Sequence, residues 1–125
     1  MRTAVQRLGD AAESVVVARL EAAGWTILAR QLRVGRAELD IIGVDPGPPR
    51  QLVVVEVRWR RRRDYGLAEE TVDRRKQARI HQAAFRWLDE SGPGFARLPI
   101  RFDVIVAEPG APGDAAVIRH HRAAF

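Results

Sequence analysis

The sequence predicts an α/β fold with the element order α-β-β-β-α-β and a short extra strand at its C-terminal end. Three observations predict it: apolar residues at helical spacing near the start, a series of short apolar runs broken by Gly and Pro, and a second amphipathic stretch before the last long run. At 125 residues the chain reads as one domain, 1–125, large enough to bury roughly two thirds of its unfolded surface.

The elements follow in order. In "AVQRLGDAAESVVVARLEAA" (4–23), Val5, Leu8, Ala12, Val15, Val16 and Leu20 fall on one helical stripe, and Gly24 stops it. "WTILARQLRV" (25–34) and "RAELDIIGV" (36–44) read as strands joined at Gly35. "DPGPPR" (45–50) is a turn by its Pro and Gly content, and it leads into a third strand, "QLVVVEVRW" (51–59). The arginine run after Trp59 and "DYG" form a loop. Asp73 stands where the N-cap belongs for a helix over 74–90, whose apolar stripe is Ile80, Ala83, Ala84, Trp87 and Leu88. "SGPGFARLP" is a connection, "IRFDVIVAE" (100–108) a fourth strand, and 115–119 a short last one.

Composition narrows the function classes. With no cysteine, no disulfide can form and the fold rests on its core, which fits a reducing compartment. The start carries charge in place of a signal peptide's apolar block, and no segment approaches the roughly 18 apolar residues of a membrane span. A cytoplasmic protein without membrane association is expected. The net charge of +5 favours a polyanion as partner. Lys76 is the only lysine among 21 basic residues.

The acids carry the chemistry. Side chains alternate along a strand, so Val54, Glu56 and Arg58 share one face and Val53, Val55 and Val57 the other; Glu38, Asp40 and Ile42 share a face of the preceding strand. A hairpin centred near Gly47 places Asp40 opposite Val55 or Glu56. A carboxylate within a valine run is unfavourable unless paired, and two close carboxylates need a cation or a shared proton. A hard divalent ion is one answer and flanking arginines are the other. Glu13 lies on or beside the apolar stripe of the first helix, and Lys76 lies in line with the buried stripe of the second, in its first turn. Three acids and a lysine thus point inward together.

Arg60, Arg61, Arg62 and Arg63 follow directly, placed to bind a nucleic-acid backbone with salt-sensitive affinity. Tyr65 is placed to stack on bases, and Trp59 reads as core because it shares a face with Val57. Arg101 and Asp103, alternating with apolar neighbours, read as an internal structural pair next to the site. His81, His120 and His121 share no ligand pattern and read as surface residues.

The stretches "LGDAAESVVVARLEAAGWTILARQLRVGRAELDIIGVD", "LVVVEVRWRRRRDYGLAEETVDRRKQARI" and "RFDVIV" together resemble the YraN family of small bacterial proteins, over about residues 8–106. The resemblance implies a restriction-endonuclease-like core, a central mixed sheet flanked by helices, of the PD-(D/E)XK nuclease superfamily and similar to Holliday-junction resolvases. It further implies a divalent-metal-dependent nuclease acting on nucleic acid, most readily DNA, with Mg²⁺ or Mn²⁺ as cofactor and a homodimer as the working form. Asp40 matches the first metal-binding acid, Glu56 the second, and Glu13 the helix acid that completes such sites; in a nuclease of this kind the carbonyl of Val57 would be a further metal ligand. Glu38 matches a supporting position. Three departures stand out: Ala12 and Ala37 replace glycines, and Arg58 occupies the place of the catalytic lysine. Arginine can supply positive charge but cannot serve as a general base. The alternative is therefore a non-catalytic nucleic-acid-binding protein whose nuclease site has decayed at Arg58. A subunit that offers its basic loop to an acidic protein is a third reading.

Overall fold

A computed structural model describes residues 3–60, 72–91 and 93–125, and its elements follow the predicted order. The first helix, α1 (Ala4–Ala22), starts from a capping box: the Thr3 hydroxyl accepts from the Gln6 N–H at 3.1 Å, and the Gln6 side chain accepts from the Thr3 N–H at 2.7 Å. Its C-terminal end is closed by the Trp25 N–H, bonded to the Leu20 carbonyl at 3.0 Å. That bond keeps Trp25 out of the following strand, so β1 is Thr26–Val34.

Gly35, at φ +61°, makes the tight turn into β2 (Ala37–Asp45), with Val34 facing Ala37 across it. The strands β3 (Gln51–Trp59) and β4 (Ile100–Glu108) are joined through α2 (Arg74–Ser91) and a short 3-10 turn, and β5 (Val117–His121) closes the order. The last strand begins two residues later than the sequence reading of 115–119. A turn closed by the Asp114 N–H on the Ala111 carbonyl, 2.8 Å, takes up the intervening chain.

The five strands form one sheet in the order β1-β2-β3-β4-β5. Every pair is antiparallel except β3 and β4, which run parallel because a helix carries the chain between them. This is the mixed sheet flanked by helices that the family resemblance implies. Being central, β3 is covered on both faces, which explains why its valines run without interruption. Val53 and Val55 pack with Val16 and Leu20 of α1, while Val54 packs with Ile80 and Ala84 of α2. Burying a side chain such as Ile80, 3% exposed, stabilises the fold by about 1.5–3 kcal/mol. Gly43 admits Trp25 beneath the sheet: a Cβ there would lie 3.3 Å from the indole and 3.1 Å from the Thr26 carbonyl oxygen. Among the described residues no helix is long and apolar enough to cross a membrane.

Candidate active site

The ladder between β2 and β3 runs from Asp45 opposite Gln51 to Ile41 opposite Val55 and stops there. Asp40 and Glu56 are the next residues on the two strands, so they stand where the strands part. β3 continues alone against β4, as far as Trp59 opposite Ala107. Past the split, the Val57 N–H has no β2 carbonyl to meet. It donates instead to Asp40 Oδ2, at 2.9 Å. In an extended strand the N–H and C=O of one residue project to the same side, so the Val57 carbonyl is directed to the side on which Asp40 lies.

The second acid is held from three directions. Glu56 is 5% exposed and fixed by its valine neighbours. Lys76 reaches it from the first turn of α2, with Nζ 2.7 Å from Oε1, and Arg58 Nη2 stands 3.6 Å from the same oxygen. Lys76 is set in place by the predicted cap: its N–H donates to Asp73 Oδ1 at 2.9 Å. The two carboxyls lie close enough to interact, and the Asp40 pKa is pushed up to about 8. Burial is the main cause and the negative charge of Glu56 the next, against the lowering effect of the Val57 N–H. A cleft of about 390 Å³ opens over the pair, lined by Arg36, Glu38, Lys76 and Arg79 among others.

The remaining sequence-predicted residues are placed as follows. Glu13 is buried, as its position on the α1 stripe suggests, but Arg30 Nε holds its carboxylate at 3.3 Å. Burial raises its pKa and the Arg30 contact opposes the rise. It lies close enough for its charge to be felt at Asp40, yet among the described residues no third Asp, Glu, His or Cys side chain completes a metal-binding group with the pair. Glu38 is half exposed at the cleft wall, 3.7 Å from Arg33. Arg61, Arg62, Arg63 and Tyr65 lie outside the described residues.

Three placements correct the sequence reading. Arg60 is 8% exposed rather than part of a solvated loop, because its N–H extends the β3–β4 pairing by bonding the Ala107 carbonyl at 2.9 Å. Arg101 and Asp103 do form an internal pair, at 2.8 Å through two hydrogen bonds. They lie on the α1 face of the sheet, with Val55 and Ile105, whereas Glu56 meets Lys76 on the α2 face. Nor are the histidines mere surface residues. His120 Nε2 is 2.7 Å from Asp103 Oδ2, and His81 stacks on Phe125 with ring centroids 5.4 Å apart.

Sequence reasoning missed Arg36 and Arg79. The second was discoverable, since Arg79 lies three residues after Lys76 and so on the same helical face. Arg36 becomes visible only once the hairpin turn is set against α2.

Residues 12–107 match the profile of Uncharacterised protein family UPF0102. The UPF0102 protein STH1475 of Symbiobacterium thermophilum is 40% identical over 108 residues, covering 86% of this chain and 87% of its own. A UPF0102 protein of Pseudomonas savastanoi pv. phaseolicola is 37% identical over 124 residues, with 99% and 97% covered. One from Deinococcus radiodurans is 39% identical over 100 residues, with 80% and 79% covered. Matched over most of its length by both the family profile and these relatives, the chain belongs to Uncharacterised protein family UPF0102, the YraN family its motifs resemble.

Proposed function

We propose that the chain is a divalent-metal-dependent nuclease that hydrolyses phosphodiester bonds in nucleic acid, with DNA as the favoured substrate. The observation that carries this reading is the meeting of Asp40 and Glu56 at the point where β2 and β3 separate, under an open cleft with Lys76 against them. The donor set fits a hard cation: two carboxylates, the Val57 carbonyl on the same side, and cleft water, all oxygen ligands suited to Mg²⁺ or Mn²⁺. Two adjacent carboxyls are the groups a dication would relieve of their mutual repulsion. When bound, such an ion supplies a water of lowered pKa and neutralises charge on the phosphate.

The protein's own residues do the rest. Asp40 is aimed by the Val57 N–H, and Glu56 is aimed by the sheet and by Lys76. Arg58, less than a quarter exposed and 3.6 Å from Glu56, contributes fixed positive charge and cannot exchange a proton at neutral pH. Lys76 places an ammonium closer to the same oxygen, with three donors free to rotate between Glu56 and a phosphate.

The test is incubation with plasmid, single-stranded and four-way-junction DNA in Mg²⁺, Mn²⁺ or EDTA. Cleavage is expected only with metal. It should vanish in Glu56→Ala and fall by roughly 10²-fold in Lys76→Ala, comparable to the loss of one preorganised charged donor. Binding without cleavage, with activity appearing in Arg58→Lys, would show instead that the site has decayed at that residue.

A further inference from the structure

The cleft over Asp40 and Glu56 does not end at Arg79. A second concavity of about 350 Å³, between the β1–β2 turn and α2, shares Arg36, Ala37 and Arg79 with the first. Sharing that wall, the two adjoin, and together they make a groove that reaches from Lys76 along α2 to Arg86. Ten residues of helix at 1.5 Å each give it a length of about 15 Å. A strand of duplex nucleic acid presents a phosphate every 3.4 Å or so along the axis, about four over that length.

The charges along the groove divide into two kinds. Lys76 is engaged by Glu56, and Arg86 by Glu90 at 3.1 Å. Arg86 also braces the turn, since a Cβ on Gly35 would lie 3.3 Å from its Nη1. Arg36 and Arg79 differ from these. Both are exposed, both line both halves of the groove, and neither has a carboxylate within ion-pair distance among the described residues. One projects from the hairpin turn and the other from the helix, so they face the groove from its two walls. Exposed guanidinium groups on the two walls of a concave track match the backbone of a polyanion.

We propose that this groove seats a nucleic-acid strand by its phosphates, with Arg36 and Arg79 holding those to one side of the phosphate presented to Asp40 and Glu56. The nature of the ligand rests on the nuclease reading above; the seat itself rests on the groove and its two unengaged arginines. The strand then leaves the cleft along α2 toward the β1–β2 turn, a direction the arginine run after β3 does not specify.

The test is the salt dependence of binding to a short labelled duplex DNA in EDTA, between about 50 and 200 mM salt. In Arg36→Ala/Arg79→Ala the slope of log K against log salt should fall by about 1.8, two phosphate contacts at roughly 0.9 each. Arg36→Lys/Arg79→Lys should keep most of the slope, and Mn²⁺ uptake should be the same in both variants as in the parent chain. A parent slope retained in the alanine variant, with its thermal midpoint unchanged, would overturn the seat and leave the nuclease reading standing. A parent chain with no salt-sensitive binding to DNA would overturn both.

Discussion

Asp40→Asn is expected to abolish metal-dependent cleavage and, in EDTA at pH 8, to make the fold more stable. The first effect follows from the loss of one of two carboxylate ligands, and a fall on the order of 10³-fold is expected when a charged group central to a site is removed. The second follows from linkage. The carboxyl titrates near 3.8 in the unfolded chain and is pushed up to about 8 in the fold, chiefly by burial and then by Glu56. The folded state therefore binds more protons than the unfolded one between those values. Its stability must fall as pH rises from about 4 to about 8.

Asparagine carries no charge, keeps an oxygen for the Val57 N–H, and removes that slope. Denaturant titrations at pH 5 and pH 8 should show the parent losing about 1–3 kcal/mol more than the variant, well short of the full 1.36 kcal/mol per unit because Lys76 and Arg58 stand close by. Equal pH dependence in the two proteins would mean that Asp40 is an ordinary surface acid. A gain in stability with a loss of function is the pattern of a site held together against its own electrostatics.

Asp103→Ala should have the largest effect in the opposite direction, a destabilisation of about 3–5 kcal/mol. Asp103 is fully buried, and its two oxygens accept four hydrogen bonds: two from Arg101 at 2.8 Å, one from the Ala123 N–H at 2.9 Å, and one from His120 at 2.7 Å. Burial alone would raise its pKa, but the bonds from His120, Arg101 and Ala123 outweigh this and hold it below the usual value. Its contribution is accordingly present above the unfolded pKa near 4 and is lost as pH falls further. Removing the carboxylate leaves the Arg101 guanidinium, 10% exposed, with Asp45 at 3.1 Å and Gln51 at 2.6 Å as its hydrogen-bond partners among the described residues. It also removes the side-chain ties to His120 and the Ala123 N–H, leaving β5 held to β4 by backbone pairing. A midpoint shift of less than about 1 kcal/mol in urea would show that the cluster is not what fastens that edge of the sheet. If Asp103→Ala cannot be purified folded, Asp103→Asn, which keeps the acceptor, should still lose a measurable part.

The sequence was legible wherever periodicity and turn chemistry act together. Gly35 and the Pro-rich turn before β3 set the β1–β2–β3 register closely enough to bring Asp40 and Glu56 to neighbouring positions, and the helical phase of α2 directed Lys76 inward. What stayed hidden depends on partners from several elements. No alternation pattern announces that a strand pair will part after Ile41 and Val55 and let a carboxylate replace a backbone carbonyl. The Asp103 cluster draws Asp45, Gln51, Arg101 and His120 from four strands, and His120 looks like a surface residue until β5 is paired with β4. Arg60 misled because a run of charge reads as solvated loop, whereas its backbone still follows the sheet.

The most direct measurement is a calorimetric titration of Mn²⁺ into the protein near neutral pH, in two buffers of different ionisation heat. One saturable site is expected, with a proton released as Asp40, whose pKa is pushed up to about 8, takes up the metal, and uptake should be lost in Asp40→Asn and in Glu56→Gln. Heats no greater than dilution in the parent protein, or binding that survives both substitutions, would contradict the assignment of these two acids to a metal.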